Sequence, residues 1–265
     1  MVECVERCAQ ITKNIELSGG SDYEDGLLPK LVEIKRRMGL NFLLHAYFPP
    51  PIRHFIMNFA ENSEKTREFI REAAAYIVAL EIPYYSVHSG FKKSFGLRKE
   101  ILIDSGETSA FTIEDIEKSV LYFKSEYPNI GLALENLYPN PDRSCCFMIH
   151  IEEITEMLDR FPGIYLLLDL GHLKIASHLT GFNYASAVEL LFRKYAQRIL
   201  ELHLSENDSL TDRHQPIRSD SIQYDIVRQY VNVINENRIN VVIETRYSNF
   251  EDVKECFLLM SGLLR

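Results

Sequence analysis

Seven short apolar runs, each closing on an acid or a histidine, constrain this chain more than any other feature. They are NIELSG (14–19), NFLLHAY (41–47), YYSVHSG (84–90), IGLALEN (130–136), IYLLLDLGH (164–172), ILELHLSEN (199–207) and NVVIETR (240–246). Each is rich in Leu, Ile, Val or Tyr and lacks the polar alternation of a half-exposed strand. Parallel strands covered on both faces read this way. Helical patterns fill the intervals at 24–38, 62–80, 112–126, 150–160, 184–197 and 222–236. In TIED, Thr112 and Asp115 form a capping box at a helix start. Strand and helix therefore alternate every 30–45 residues, which predicts a repeated βα fold.

A TIM (β/α)8-type barrel of about 250 residues suits this rhythm and a chain of 265 residues. Only seven strands are legible, so the first is expected to be missing or atypical. VECVERCAQITK reads as the helix that would follow it. No Gly/Ser- or Pro-rich linker divides the chain, which predicts a single domain over 1–265. A doubly wound open sheet is the competing architecture. It calls for a Gly-rich turn after an early strand, and SGGSDY does not fit GxGxxG.

Composition narrows the function classes. No apolar run reaches the roughly 18–20 residues of a membrane helix, and MVECVERC lacks the apolar stretch of a signal peptide. Five cysteines without a repeated CxxC pair predict a reduced, cytoplasmic protein. A formal charge of −9 argues against broad electrostatic binding of nucleic acid.

The residues at the strand ends carry the chemistry. In chain order they are Glu16, His45, His88, Glu135, Asp169 with His172, His203 and Glu244, and the loop TDRHQP adds Asp212 and His214. Five of the eight histidines fall in this set, whereas a lone strand-end histidine is usually a core or capping residue. In a barrel all strands point their C-terminal ends at one face, so these side chains are expected to converge. Imidazoles and carboxylates are ligands for zinc and, with more carboxylate, for manganese or magnesium. Without a cation, crowded carboxylates repel one another. A divalent-metal site is the expected outcome.

The same set resembles the xylose isomerase-like TIM-barrel superfamily, which includes sugar phosphate isomerases, epimerases and endonuclease IV. The resemblance runs from NIELSGG to VVIETR, and LALEN, LLLDLGH, ELHLSEN and VVIET resemble the fifth to eighth strands. It implies a metal core of Glu135, Asp169, His203 and Glu244. The further ligands of the trinuclear zinc cluster in endonuclease IV carry over onto His45, His88, His172, Asp212 and His214. One to three ions of zinc, manganese or magnesium are thus implied.

Two chemistries compete for such a site. In sugar or sugar-phosphate isomerisation or epimerisation, Glu135 and Glu244 act as an acid–base pair across a metal-stabilised enediolate. His172, Arg246, Lys174 and Glu16 then bind substrate. A salt bridge is the alternative for Arg246, two residues past Glu244 on the same face, and a plain place early in the following helix is the alternative for Lys174. In phosphoester hydrolysis of the endonuclease IV kind, several zinc ions clamp the phosphate. The sequence departs from endonuclease IV where that enzyme grips DNA. QPIRSDS stands in place of GEGxxG after His214, and Pro49–Pro51 stiffen the loop after the second run. A small carbohydrate substrate is therefore favoured over duplex DNA, and the resemblance to barrel isomerases suggests a homo-oligomer. A non-catalytic barrel that binds metal or sugar is a third reading. Phe48, Ile52 and Phe55 are expected in an apolar lid, in an oligomer contact or in a plain covering loop over the barrel mouth. Asn136 and Glu206 are expected to orient ligands. His54, His150 and His178 are expected at the surface or in caps, and Cys145–Cys146 in a loop without a role.

Overall fold

The computed structural model describes residues 1–265 except 21, 53–55, 94, 99–100, 105–109, 141–144, 247–248 and 265. The chain packs as two compact units, Met1–Ala133 and Leu134–Arg265.

The first unit opens on helix α1 (Val2–Cys8), as VECVERC predicts, and continues with β1 (Asn14–Leu17), α2 (Leu27–Met38), β2 (Asn41–Leu44), α3 (Glu64–Ala79) and β3 (Tyr84–His88). A hairpin of β4 (Phe95–Arg98) and β5 (Ile101–Asp104) precedes α4 (Ile113–Glu126). Strands β1 and β2 pair in parallel, Asn14 opposite Asn41 and Leu17 opposite Leu44. A parallel bridge between His45 and Ser86 sets β3 beside the end of β2. The capping box is present: the Thr112 N–H donates to the Asp115 carboxylate at 2.9 Å. The core includes Leu17, Leu31, Leu44, Phe59, Ile70, Tyr85 and Phe123.

Strand β6 (Gly131–Glu135) carries the chain into the second unit. There α5 (Ile151–Arg160), β7 (Tyr165–Asp169), α6 (Leu170–Thr180), α7 (Tyr184–Tyr195), β8 (Ile199–Leu204), α8 (Ile222–Asn237), β9 (Asn240–Ile243) and α9 (Phe250–Leu263) follow. The strand order is β6, β7, β8, β9, with β7–β8 and β8–β9 parallel. Leu166, Leu167 and Leu168 are fully buried, as a strand covered on both faces requires. Side-chain caps hold the helix starts: Asn183 accepts from the Ser186 N–H at 2.9 Å and Asn249 from the Asp252 N–H at 2.9 Å.

All seven predicted strands form. They stop earlier than the apolar runs suggest, so that several of the polar residues fall just past a strand end or in the next helix. The hairpin and α9 are additions to the predicted elements, while α6 is the helix expected to follow the 164–172 run. The expectation of an apolar lid needs correction at Phe48. That ring is fully buried and packs edge-on to Tyr76, with centroids 5.3 Å apart, so it belongs to the core of the first unit. Ile52 is 77% exposed, while His54 and Phe55 lie outside the described residues. His150 is the N-cap residue of α5 and contacts Glu152. His178 is exposed in the last turn of α6.

Candidate metal centre

The second unit builds its site around the junction of β7 and α6. Asp169 ends the strand and is the N-cap of the helix, its Oδ1 accepting from the His172 N–H at 2.7 Å. An N-cap side chain bonds an N–H two or three residues further on. The D-x-x-H spacing is thus the spacing of the cap itself, and it places the His172 side chain at the first turn above the strand end. Asn136 clamps the same junction. The Asp169 N–H donates to Asn136 Oδ1 at 2.8 Å, and Asn136 Nδ2 donates to Asp169 O at 3.0 Å. Between the two ligand-type residues, Gly171 leaves little room for a side chain. A Cβ there would stand 3.0 Å from Ser205 O, 3.1 Å from Asn207 Nδ2 and 3.1 Å from Asp169 Oδ1.

Strand register gathers the remaining groups. Asp169 stands opposite His203, and the Glu244 N–H donates to Leu204 O at 3.0 Å. One ligand atom each from Glu135, Asp169 and His172 lie within 4.8 Å of one another, and the same holds for Asp169, His203 and Glu244. Asp169 belongs to both groups. Glu135, Asp169, His172 and His203 are all buried. His172 Nδ1 lies 3.1 Å from Glu135 Oε1, and its Nε2 lies 3.5 Å from Asp212 Oδ2. The same Asp212 oxygen is 2.6 Å from His214 Nε2. His203 Nδ1 is 3.1 Å from Glu244 Oε2. Arg246 Nη2 donates to Glu244 Oε1 at 2.7 Å. Lys174 is held by Glu206 at 2.8 Å and by Asn207 O at 3.0 Å.

Crowding shows in the electrostatics. Burial, reinforced by the charges of Glu135 and Glu244, pushes the Asp169 carboxyl up to about 6, against the pull of His172 and His203. For His172 burial acts downward, but the Asp169 charge and contacts with Asp212 and Glu135 prevail and hold the imidazole well above its ordinary value. Asp212 and Glu244 go the other way. Burial opposes their ionisation, yet His172 and His214 hold Asp212, and His203 holds Glu244, well below the usual carboxylate range.

These residues fit a divalent cation. The donor set is carboxylate and imidazole, the types zinc and manganese take. The ligand atoms converge within a spacing that small side-chain turns close onto a shared ion. Asp169 Oδ2 is buried and accepts no hydrogen bond among the described residues, a costly state for a carboxylate oxygen that a cation would relieve.

The first unit gathers the other predicted ligands. Glu16 stands on β1 opposite Leu43, and a ligand atom of Glu16 lies within 4.8 Å of one of His45. The same limit holds between His45 and His88, whose ring centroids are 5.3 Å apart. His45 Nδ1 is 3.2 Å from Ser86 Oγ, and His88 Nδ1 is 3.1 Å from the Tyr47 hydroxyl.

Sequence reasoning passed over three participants. Glu201 is fully buried on β8, with Oε1 3.5 Å from His203 Nε2. The alternation in LELHL put it on the face of His203. Tyr138 lays its ring 4.8 Å from that of His172. Gln223 brackets Ser205, accepting from its N–H at 3.1 Å and donating to its carbonyl; a glutamine inside a helix carries no signal for that role.

Helices alternating with parallel strands that end in acids and imidazoles define an α/β protein of the TIM-barrel class. The model of the xylose isomerase-like TIM barrel family matches residues 3–256, and the chain belongs to that family. Among similar solved structures is a D-tagatose 3-epimerase-like protein, 18% identical, covering 100% of this chain and 96% of its own at a TM-score of 0.68. An AP endonuclease, family 2, from Brucella melitensis is 15% identical, with 94% and 89% covered and a TM-score of 0.61. The IolI protein with a bound zinc atom is 17% identical, with 98% and 89% covered and a TM-score of 0.60. No curated protein matches the sequence significantly. Among the described residues, no helix is long and apolar enough to cross a membrane.

Proposed function

We propose that the protein is a divalent-metal-dependent isomerase or epimerase of a small sugar or sugar phosphate, working in the cytoplasm. The observation that carries this reading is the sharing of Asp169 between two ligand groups, one completed by Glu135 and the other by Glu244. Glu135, Asp169, His203 and Glu244 would hold the ion. When bound, a divalent cation polarises adjacent sugar oxygens and makes the neighbouring C–H more acidic. The epimerase-like neighbour and the zinc in the IolI structure agree with this reading.

The chain's own residues supply the proton transfers. Glu244, held ionised by His203, takes the proton from carbon, while Arg246 fixes its other oxygen. Glu135 returns a proton. Delivery to the same carbon from the opposite side gives an epimer, and delivery to the neighbouring carbon gives an isomer. His172, Arg246 and Lys174 contact substrate oxygens. Burial of the site keeps water from competing for the proton.

A phosphoester-cleaving reading has one observation in its favour. Asp212 lies between His172 and His214, which extends the donor set beyond what one ion needs. In that reading these three residues, and His45 with His88 in the first unit, hold further ions.

The test is solvent deuterium exchange into a panel of ketoses and ketose phosphates, followed by NMR, beside nicking of abasic DNA and a metal count per chain. Exchange that falls by a factor of about 100 or more in Glu135→Gln and in Glu244→Gln is expected. Full exchange in either variant, or nicking without exchange in the wild type, would overturn the assignment.

A further inference from the structure

We infer that Tyr47 is a positioning residue that sets the His88 imidazole as a metal ligand; this rests on the phosphoester-cleaving reading, in which His88 holds a further ion. Tyr47 lies three residues past β2, with its backbone in the left-handed region at φ 61°. Bulky residues rarely adopt this conformation, because Cβ crowds the following carbonyl. The facing chain makes space for it. Gly19, two residues past β1, donates its N–H to Ala46 O at 3.3 Å, and a Cβ on Gly19 would stand 2.5 Å from the Tyr47 Cβ. Gly19 itself has no left-handed backbone. Its missing side chain serves Tyr47.

The product of this strained turn is a specific contact. The Tyr47 hydroxyl lies 3.1 Å from His88 Nδ1, and the ring meets the imidazole edge-on at 4.9 Å and 86°. Strained backbone persists where the surroundings over-determine it, and such places gather at working sites.

The neighbouring histidine shows the same arrangement. His45 Nδ1 is 3.2 Å from Ser86 Oγ, and that hydroxyl donates to Leu44 O at 3.2 Å. With its proton so committed, the serine oxygen accepts from His45 Nδ1–H. Metal-binding imidazoles hand their second ring N–H to an acceptor, which fixes tautomer and ring plane. Tyr47 is that acceptor for His88. Both histidines then present Nε2 with its lone pair.

The experiment uses the full chain. In metal-free protein with 15N-labelled histidine, long-range 1H–15N NMR is expected to find the His88 proton on Nδ1, and to find a tautomer mixture in Tyr47→Phe. In competition titrations with zinc, Tyr47→Phe should weaken by about 10–100-fold the site that His88→Ala abolishes. Gly19→Ala keeps the phenol but pushes Tyr47 out of position, so it should weaken the same site and should add nothing to Tyr47→Phe. Should Gly19→Ala fail to fold, Tyr47→Phe decides alone, since it removes one oxygen and keeps the ring. A full zinc complement in His88→Ala would remove the ligand role of His88, and the inference with it. Loss of an ion in His88→Ala, with unchanged affinity and tautomer in Tyr47→Phe, would leave that role standing and overturn the one assigned to Tyr47.

Discussion

Replacing Gly171 by alanine sets two physical effects against each other, and the structure decides the sign. Gly171 lies in the first turn of α6, where alanine is favoured over glycine by about 1 kcal/mol. Propensity alone therefore predicts a more stable protein. The added Cβ, however, meets Ser205 O, Asn207 Nδ2 and Asp169 Oδ1 at 3.0–3.1 Å. Two of these atoms already hold the helix start: Asp169 Oδ1 accepts from the His172 N–H, and Asn207 Nδ2 donates to Gly171 O at 3.0 Å. Weakening both bonds costs about 1 kcal/mol each. Overpacking against a backbone carbonyl adds at least about 1 kcal/mol. The balance is a loss of about 2 kcal/mol, or a fall in Tm of about 4–8 °C for a chain of this size. Thermal unfolding of metal-free Gly171→Ala, followed by circular dichroism, measures it. Zinc affinity should fall in parallel, because Asp169 is displaced. A rise in Tm with unchanged affinity would refute the reasoning and show that the strand end yields to a methyl group.

Three further outcomes are expected. Asn136→Ala leaves the buried N–H and C=O of Asp169 without their partner and should cost about 2–6 kcal/mol, measured by urea unfolding. In chelated protein Asp169, raised from 3.8 to about 6, binds its proton more tightly folded than unfolded. Stability from this group is present below about pH 4 and is lost as pH rises to about 6. Asp212 and Glu244, held low, contribute stability that is lost as pH falls below 3.8 and 4.5, and His172, held high, contributes stability that is lost only as pH rises above 6.5. Asp169→Asn should flatten the slope of urea midpoints between pH 3.8 and about 6; an unchanged slope counts against the assignment. Removal of metal should lower stability by about 2.7 kcal/mol relative to metal at about 100 times its Kd, and calorimetry with and without chelator reads this directly.

The seven strands were legible because strands buried on both faces leave continuous apolar runs, and the strand-end acids and histidines stood out against them. Helix α6 was less legible for the same physical reason. Leu170, Gly171, His172, Leu173, Ile175, Ala176 and Ser177 are all buried, so its sequence has no polar face to mark a period of 3.6. The hairpin at 95–104 spans two strands of four residues, too short for a pattern. At the site, residue types were readable, and the i, i+2 spacing put Arg246 on the face of Glu244, but which groups pair was not fixed. Arg246 is paired with Glu244 and Lys174 with Glu206. Such pairs depend on side-chain directions past the strand ends, which spacing alone does not settle. Glu201 is fully buried on β8, and its residue type alone gives no sign of that.

Residue 169 carries two obligations on one short carboxyl group: one oxygen starts a helix, and the other turns toward the ligand cluster. Glutamate has the charge but overshoots the helix start, asparagine reaches it but brings no charge, and serine runs out of oxygens. Among the twenty side chains, only aspartate meets both demands at this position.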